Sequence, residues 1–226
     1  MSAGSGRERT LCHAVIATAR EMNTLGINRG KAGNVSARWR HSTSDGYLIT
    51  PTGLPYADIA AEDIVAMPLD GAADAASGTR LPSSEWRFHR DIYRARPDAD
   101  AIVHTHAPFA TSLACLRRGI PAFHYMVAIA GGKDIRCAPY ATFGTQALSD
   151  YAVAALDGRR ACLLANHGMI ATGASLAAAL AVAVEVETLA EMYWRAVQLG
   201  EPTLLPDDEM SVVLEKFRTY GQPPDD

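Results

Sequence analysis

Hydrophobic positions recur along this chain at two spacings, and the switches between them mark out the elements. From Leu11 to Leu25 apolar residues fall at helical spacing, with Val15, Ala19 and Met22 on one side and Gly26 as a stop. Short strands are expected at 35–40 and across GYLIT, separated by a turn at 42–46, with the Pro/Gly loop PTGLPY after them. Ala61 to Ile64 reads as helix or turn, and Ile64 to Pro68 as a strand. Ser84 to Ala95 places Trp86, Phe88, His89, Ile92 and Tyr93 three and four apart, predicting a helix.

The second half continues in the same way. AIVHTH, from Ala101 to His106, is an apolar run that alternates into two histidines and stops before Pro108. A helix is expected from Ala107 to Leu116, an extended piece from Pro121 to Tyr125, and a helix from Thr145 to Leu156. CLLAN is a buried strand that runs into HGMIATG. Long and final helices are predicted at 176–199 and 208–220. This mixture of helices with hairpin-like strand pairs predicts an α/β or α+β arrangement, helices layered on a sheet.

Composition narrows the function. With 226 residues, 20% charged residues and a net charge of −4, the chain has room for a large core and lacks the basic stripe of a nucleic-acid binder. Glu185, Glu187, Glu191 and Arg195 interrupt the longest apolar tract, so no membrane span is expected. Cys12, Cys115, Cys137 and Cys162 show no paired spacing, and the polar N-terminus resembles no signal peptide. A cytoplasmic protein is expected, one domain over 1–226 with flexible ends at 1–10 and 221–226.

The candidate chemistry begins with the two histidines. If 101–106 is extended, His104 and His106 share a face and Thr105 points away. They are either polar residues satisfied by carbonyls at a strand end or two nitrogen ligands of a metal. His167, in a second strand end followed by Gly168, supplies a third nitrogen, with Gly168 expected to make the sharp turn. Three histidines with an open fourth position make the pattern of a catalytic zinc.

Glu85, in LPSSEW, is the candidate acid, although a carboxylate in a first helical turn is also explained by the helix dipole. Ser83 and Ser84 are conventional caps that could equally bind an anion at a helix start. AGNVS, with Gly33, Asn34 and Ser36, and TPTG, with Thr50, Thr52 and Gly53, add polar, glycine-bearing loops. Together they suggest a phosphate held without a nucleotide-binding fold. His89 reads as a satisfied core histidine, His13 and His41 as surface or packing residues, and His124 is ambiguous.

In this order and spacing, GNVS, TPTG, PSSEWRFH, HTH, HYM at 124–126, APYATFGT and NHG resemble the class II aldolase/adducin family, most of all its L-fuculose 1-phosphate aldolases. The likeness runs from about Leu11 to Tyr220. It implies a single αβα-layered domain with a mixed, largely antiparallel sheet. It further implies a fourfold-symmetric homotetramer with active sites between subunits and one zinc per subunit on His104, His106 and His167. Glu85 falls on the acid/base, and Tyr125 on a proton donor contributed across the subunit boundary. Gly33, Asn34, Thr52, Gly53, Ser83 and Ser84 fall on phosphate-binding positions, and Tyr220 on a tail that closes the site.

The implied reaction is reversible cleavage of a ketose 1-phosphate to dihydroxyacetone phosphate and an aldehyde such as lactaldehyde. Aldolases of 5-deoxyribulose or methylthioribulose 1-phosphate differ only around the aldehyde. A ribulose 5-phosphate 4-epimerase is disfavoured because its pattern carries aspartate where Glu85 precedes WRFH, and an adducin-like interaction module because such heads lack the metal histidines. Lys31, where the fuculose pattern has a small hydroxyl residue, and the QPPDD ending depart from the family pattern.

Overall fold

A computed structural model describes residues 3–41, 44–70 and 76–219. Tyr220, Ser42, Thr43 and residues 71–75 lie outside the described residues. The strands are β1 (Asn34–His41), β2 (Ser44–Ile49), β3 (Val65–Pro68), β4 (Ala101–Thr105), β5 (Arg136–Ala138), β6 (Ala161–Leu164) and β7 (Gly168–Gly173). They form one sheet in the order β3-β2-β1-β4-β7-β6-β5. Every neighbouring pair is antiparallel except β5 and β6, which are parallel.

The helices are α1 (Ala3–Thr24), α2 (Trp86–Ala95), α3 (Pro108–Cys115), α4 (Gln146–Ala155), α5 (Leu176–Leu199) and α6 (Asp207–Thr219). Strand alternation divides the interior into two cores. Val35, Ala37, Ala101 and Val103 pack with α1, α3 and α5, whereas Ile102, Ile170 and Leu164 pack on the other side with α2 and α4. The result is an αβα sandwich around a mixed sheet. Burying a side chain such as Ile102 contributes about 1.5–3 kcal/mol, and both faces of β4 are filled in this way, every residue of it being buried.

Several expectations change. Helix α1 begins at Ala3, eight residues before the Leu11 at which the apolar helical spacing starts. The expected extended piece at 121–125 instead bends into a 3-10 helix at Tyr125–Ala130, whose first turn is capped by the His124 ring accepting from the Met126 amide. β5 was not anticipated; at three residues it is too short to show a period. β7 follows β6 as the second arm of a tight hairpin, with Leu164 paired to Gly168. The left-handed residue in that turn is Asn166, at φ 54°, not Gly168. Asn tolerates this conformation because its short amide can bond locally. Here the amide donates to the Cys115 carbonyl and accepts from Arg117.

Candidate active site

β4 and the β6–β7 hairpin lie side by side, so their ends meet. His104 is in register with Ile170 on β7, and His167 sits in the turn just before that strand. β4 itself ends at Thr105, with His106 immediately beyond it because Pro108 starts α3. The three imidazoles stand with ring centroids 4.9 to 5.1 Å apart, each pair edge to face. One nitrogen from each ring lies within 4.8 Å of the others, the sole such group of three potential ligands among the described residues.

The ring orientations are fixed by surrounding backbone. Nδ1 of buried His104 lies 2.9 Å from the Met169 carbonyl, which can only accept, so Nδ1 carries a proton and Nε2 is the nitrogen turned toward Glu85. Nε2 of His106 is buried without a hydrogen-bond partner. Burial chiefly lowers His106 and His167 to about 4, leaving both neutral near pH 7. Three imidazole nitrogens converging on one point are the donor set that zinc or a similar divalent ion accepts.

Gly168 is needed for space. A Cβ there would meet the Thr105 carbonyl oxygen at 2.6 Å and the His106 ring at 3.0 Å. Gly33 is restricted in the same way, since a Cβ would collide with the His104 carbonyl. Thr105, pointing to the opposite face, donates to the Ile27 carbonyl and contacts Asn28 Oδ1 at 3.3 Å. It thereby ties the β4 end to the loop that enters β1.

Glu85 caps α2 and turns its carboxylate onto the histidines. Oε2 lies 3.1 Å from His104 Nε2, and Oε1 lies 3.2 Å from His167 Nε2. Burial works to raise this carboxyl, but His104, His167 and the Asn34 amide outweigh it and hold the group down at about 2. Asn34 Nδ2 donates to Oε2 at 2.9 Å, while Oε1 has no hydrogen-bond partner.

The suspected phosphate loops are brought to one edge. Thr52 N donates to the Leu81 carbonyl, Ser83 N to that of Thr50, and Pro51 bridges Pro82, which joins TPTG to LPSSE. Lys31 Nζ donates to the Gly53 carbonyl at 2.8 Å, joining AGNVS to the same group. Ser84 is exposed and Ser83 is buried with its Oγ accepting from the Glu85 amide. Asn34 stands among them, but its side-chain amide is turned inward to Glu85 and His89.

A cavity of about 270 Å³ opens beside the cluster, lined by Ser84, Glu85, His106, His167, Tyr140 and Phe143 among others. Tyr125 is half exposed at the start of its 3-10 helix and does not line this cavity. Tyr220 lies outside the described residues.

The family model of the Class II Aldolase and Adducin N-terminal domain matches residues 13–194. The chain belongs to the class II aldolase and adducin family. A 5-methylthioribulose-1-phosphate/5-deoxyribulose-1-phosphate aldolase of Rhodospirillum rubrum is 60% identical over 216 residues, spanning 96% of this chain and 95% of that protein. An L-fuculose phosphate aldolase of Escherichia coli K12 is 50% identical over 212 residues, spanning 93% and 95%. A solved L-fuculose 1-phosphate aldolase superposes with a TM-score of 0.87 at 43% identity, covering 92% of this chain and 96% of its own. With such relatives the chain is a class II aldolase, a lyase, and a sugar phosphate suits its family. No helix among the described residues is long and apolar enough to cross a membrane.

Proposed function

We propose that this class II aldolase reversibly cleaves a 5-deoxy or 5-methylthio ketose 1-phosphate, releasing dihydroxyacetone phosphate and a short aldehyde, with zinc on His104, His106 and His167. The observation that carries the reading is the Glu85 carboxylate set against three converging imidazoles. When bound, the ion would act as a Lewis acid toward the ketose carbonyl and the charge that develops on the substrate oxygens.

The chain supplies the remainder. Glu85 exchanges a proton with C3 of dihydroxyacetone phosphate, a role worth about 10² to 10⁴ in rate. Gly33, Thr52, Gly53, Ser83 and Ser84, with Asn34 behind them, receive the phosphate, and Lys31 adds a cation at that edge. Tyr125 of a neighbouring subunit serves the aldehyde oxygen, which makes a homotetramer part of the reading, and Tyr220 closes the site. That Tyr125 does not line its own chain's cavity supports an intersubunit role.

The higher identity to the methylthioribulose and deoxyribulose phosphate aldolase supports that substrate class over L-fuculose 1-phosphate. Tyr140, Ala141 and Phe143 give the cavity an apolar wall suited to a methyl or methylthio end. Four unpaired thiols support a cytoplasmic setting. The test is a cleavage assay over 5-methylthioribulose, 5-deoxyribulose and L-fuculose 1-phosphates, detecting dihydroxyacetone phosphate. The highest kcat/KM is expected for one of the first two; preference for L-fuculose 1-phosphate would reverse the substrate reading, and no cleavage of any would end it.

A further inference from the structure

Beneath the candidate site runs a polar seam where two elements pack. Strand residues two apart rise by about 6.8 Å and helix residues four apart by about 6.0 Å, so Asn34, Ser36 and Arg38 on β1 stay nearly in step with Glu85, His89 and Tyr93 along α2. Polar groups occupy both sides of this contact although it lies inside a core. Ser36 and His89 are wholly buried, and Asn34, Glu85 and Tyr93 are 1 to 5% exposed.

The hydrogen bonds in the seam run in one direction. An ionised Glu85 only accepts, so the Asn34 atom facing it is Nδ2, at 2.9 Å. Oδ1 of Asn34 therefore faces His89 Nε2, at 2.5 Å, and that nitrogen must carry the proton. The lone pair of His89 is then on Nδ1, which accepts from Ser36 Oγ at 2.7 Å. Having donated there, Ser36 accepts from the Tyr93 hydroxyl at 2.8 Å. Every donor points toward Glu85. A reversed Asn34 amide would set its oxygen against the carboxylate and leave His89 without an acceptor.

Resting on the aldolase reading, we propose that His89, held in its Nε2-protonated form by Ser36 and Tyr93, is a positioning residue that locks the Asn34 amide and so dedicates Oε2 of Glu85 to the protein and Oε1 to the substrate proton. None of the three need touch substrate. A polar chain of this kind buried in a core offers less stability than apolar packing of the same volume, which is the cost of holding one carboxylate oxygen in place.

The experiment uses the zinc-loaded enzyme to measure kcat, KM and exchange of the C3 hydrogen of dihydroxyacetone phosphate with solvent, and the metal-free protein for NMR of isotope-labelled histidine. Ser36→Ala and His89→Leu are expected to lower kcat and exchange by about 10- to 100-fold, as loss of an outer support typically does, with zinc retained and KM little changed. His89→Gln keeps a donor toward Asn34 and an acceptor toward Ser36, and is expected to recover most of the loss. NMR of the wild type is expected to show His89 protonated on Nε2. An Nδ1-protonated His89, full exchange in both Ser36→Ala and His89→Leu, or no difference between His89→Gln and His89→Leu would overturn the proposal. A wild type that neither cleaves ketose 1-phosphates nor exchanges this hydrogen would instead defeat the aldolase reading, while the tautomer measurement would still judge the seam.

Discussion

Glu85 Oε2 lies 3.1 Å from Nε2 of His104, so the candidate base and a candidate metal ligand are in direct contact. Replacing the carboxylate with an amide separates the two roles. Glu85→Gln is expected to keep zinc at about one per chain and lose about 10² to 10⁴ in kcat, checked by metal analysis beside the exchange of C3 hydrogen. Undiminished exchange would remove Glu85 as the base.

Gly168 lies against both imidazoles of the HTH stretch. Gly168→Ala places a Cβ against the Thr105 carbonyl and the His106 ring, which must move the hairpin or the ligands. Zinc affinity is expected to fall by at least tenfold, read by competition with a chelator while the circular dichroism spectrum stays that of the wild type. Unchanged affinity would show that the ligand positions tolerate the shift.

Glu187 on α5 receives the amides of Phe109 and Ala110, both at 2.8 Å, at the start of the helix that follows the histidines. Glu187→Ala leaves two amides without partners at a cost of about 1–3 kcal/mol each if they stay dry. Urea unfolding at pH 7 should show this as a lower midpoint with the slope unchanged. Its carboxyl is raised, chiefly by burial, so the stability linked to it is greatest below the ordinary carboxylate range and declines as pH rises through the folded value.

His89 gives a second pH dependence, of opposite sign. Burial lowers it from 6.5 to about 3, so the unfolded chain binds its proton first and stability falls as pH drops between these values. The slope approaches about 1.4 kcal/mol per pH unit. Urea unfolding of the metal-free protein from pH 7 to pH 4 should show the decline, flatter in His89→Gln. Equal slopes in the two proteins would mean that His89 is not buried in its neutral form.

Tyr125 can be tested by mixing subunits. If each site draws its base from one chain and its phenol from another, Glu85→Gln and Tyr125→Phe proteins should each be nearly inactive alone and recover activity on co-refolding. Recovery absent from mixed tetramers, or a monomeric protein in sedimentation, would place both groups in one chain or remove Tyr125 from the reaction.

Much of this arrangement was legible before folding. Helical spacing over 84–95 and 176–199 matches α2 and α5, because each carries an apolar stripe long enough to repeat. The alternation in AIVHT marked β4 and the histidine pair, and the order of motifs carried the family. The short β5, the hairpin arm β7 and the 3-10 turn after His124 were not legible, since their pairing and bending are decided by distant partners. His89 was read correctly as buried and satisfied, but its bond to the Asn34 amide, and through it the link to Glu85, depends on β1 lying across α2.

By itself the sequence determined the residue types and their local geometry: three imidazoles at strand ends, a carboxylate at a helix start, and small polar loops. Those features follow from backbone period and turn chemistry within a few residues. Only the tertiary structure decided that the three nitrogens converge, that Asn34 turns inward, and that Gly33 and Gly168 have no room for a side chain. Each of these depends on contacts between segments roughly 50 to 80 residues apart, as from Asn34 to Glu85 or from Thr105 to Ile27; such contacts form only when the sheet order brings β1, β4 and β7 together.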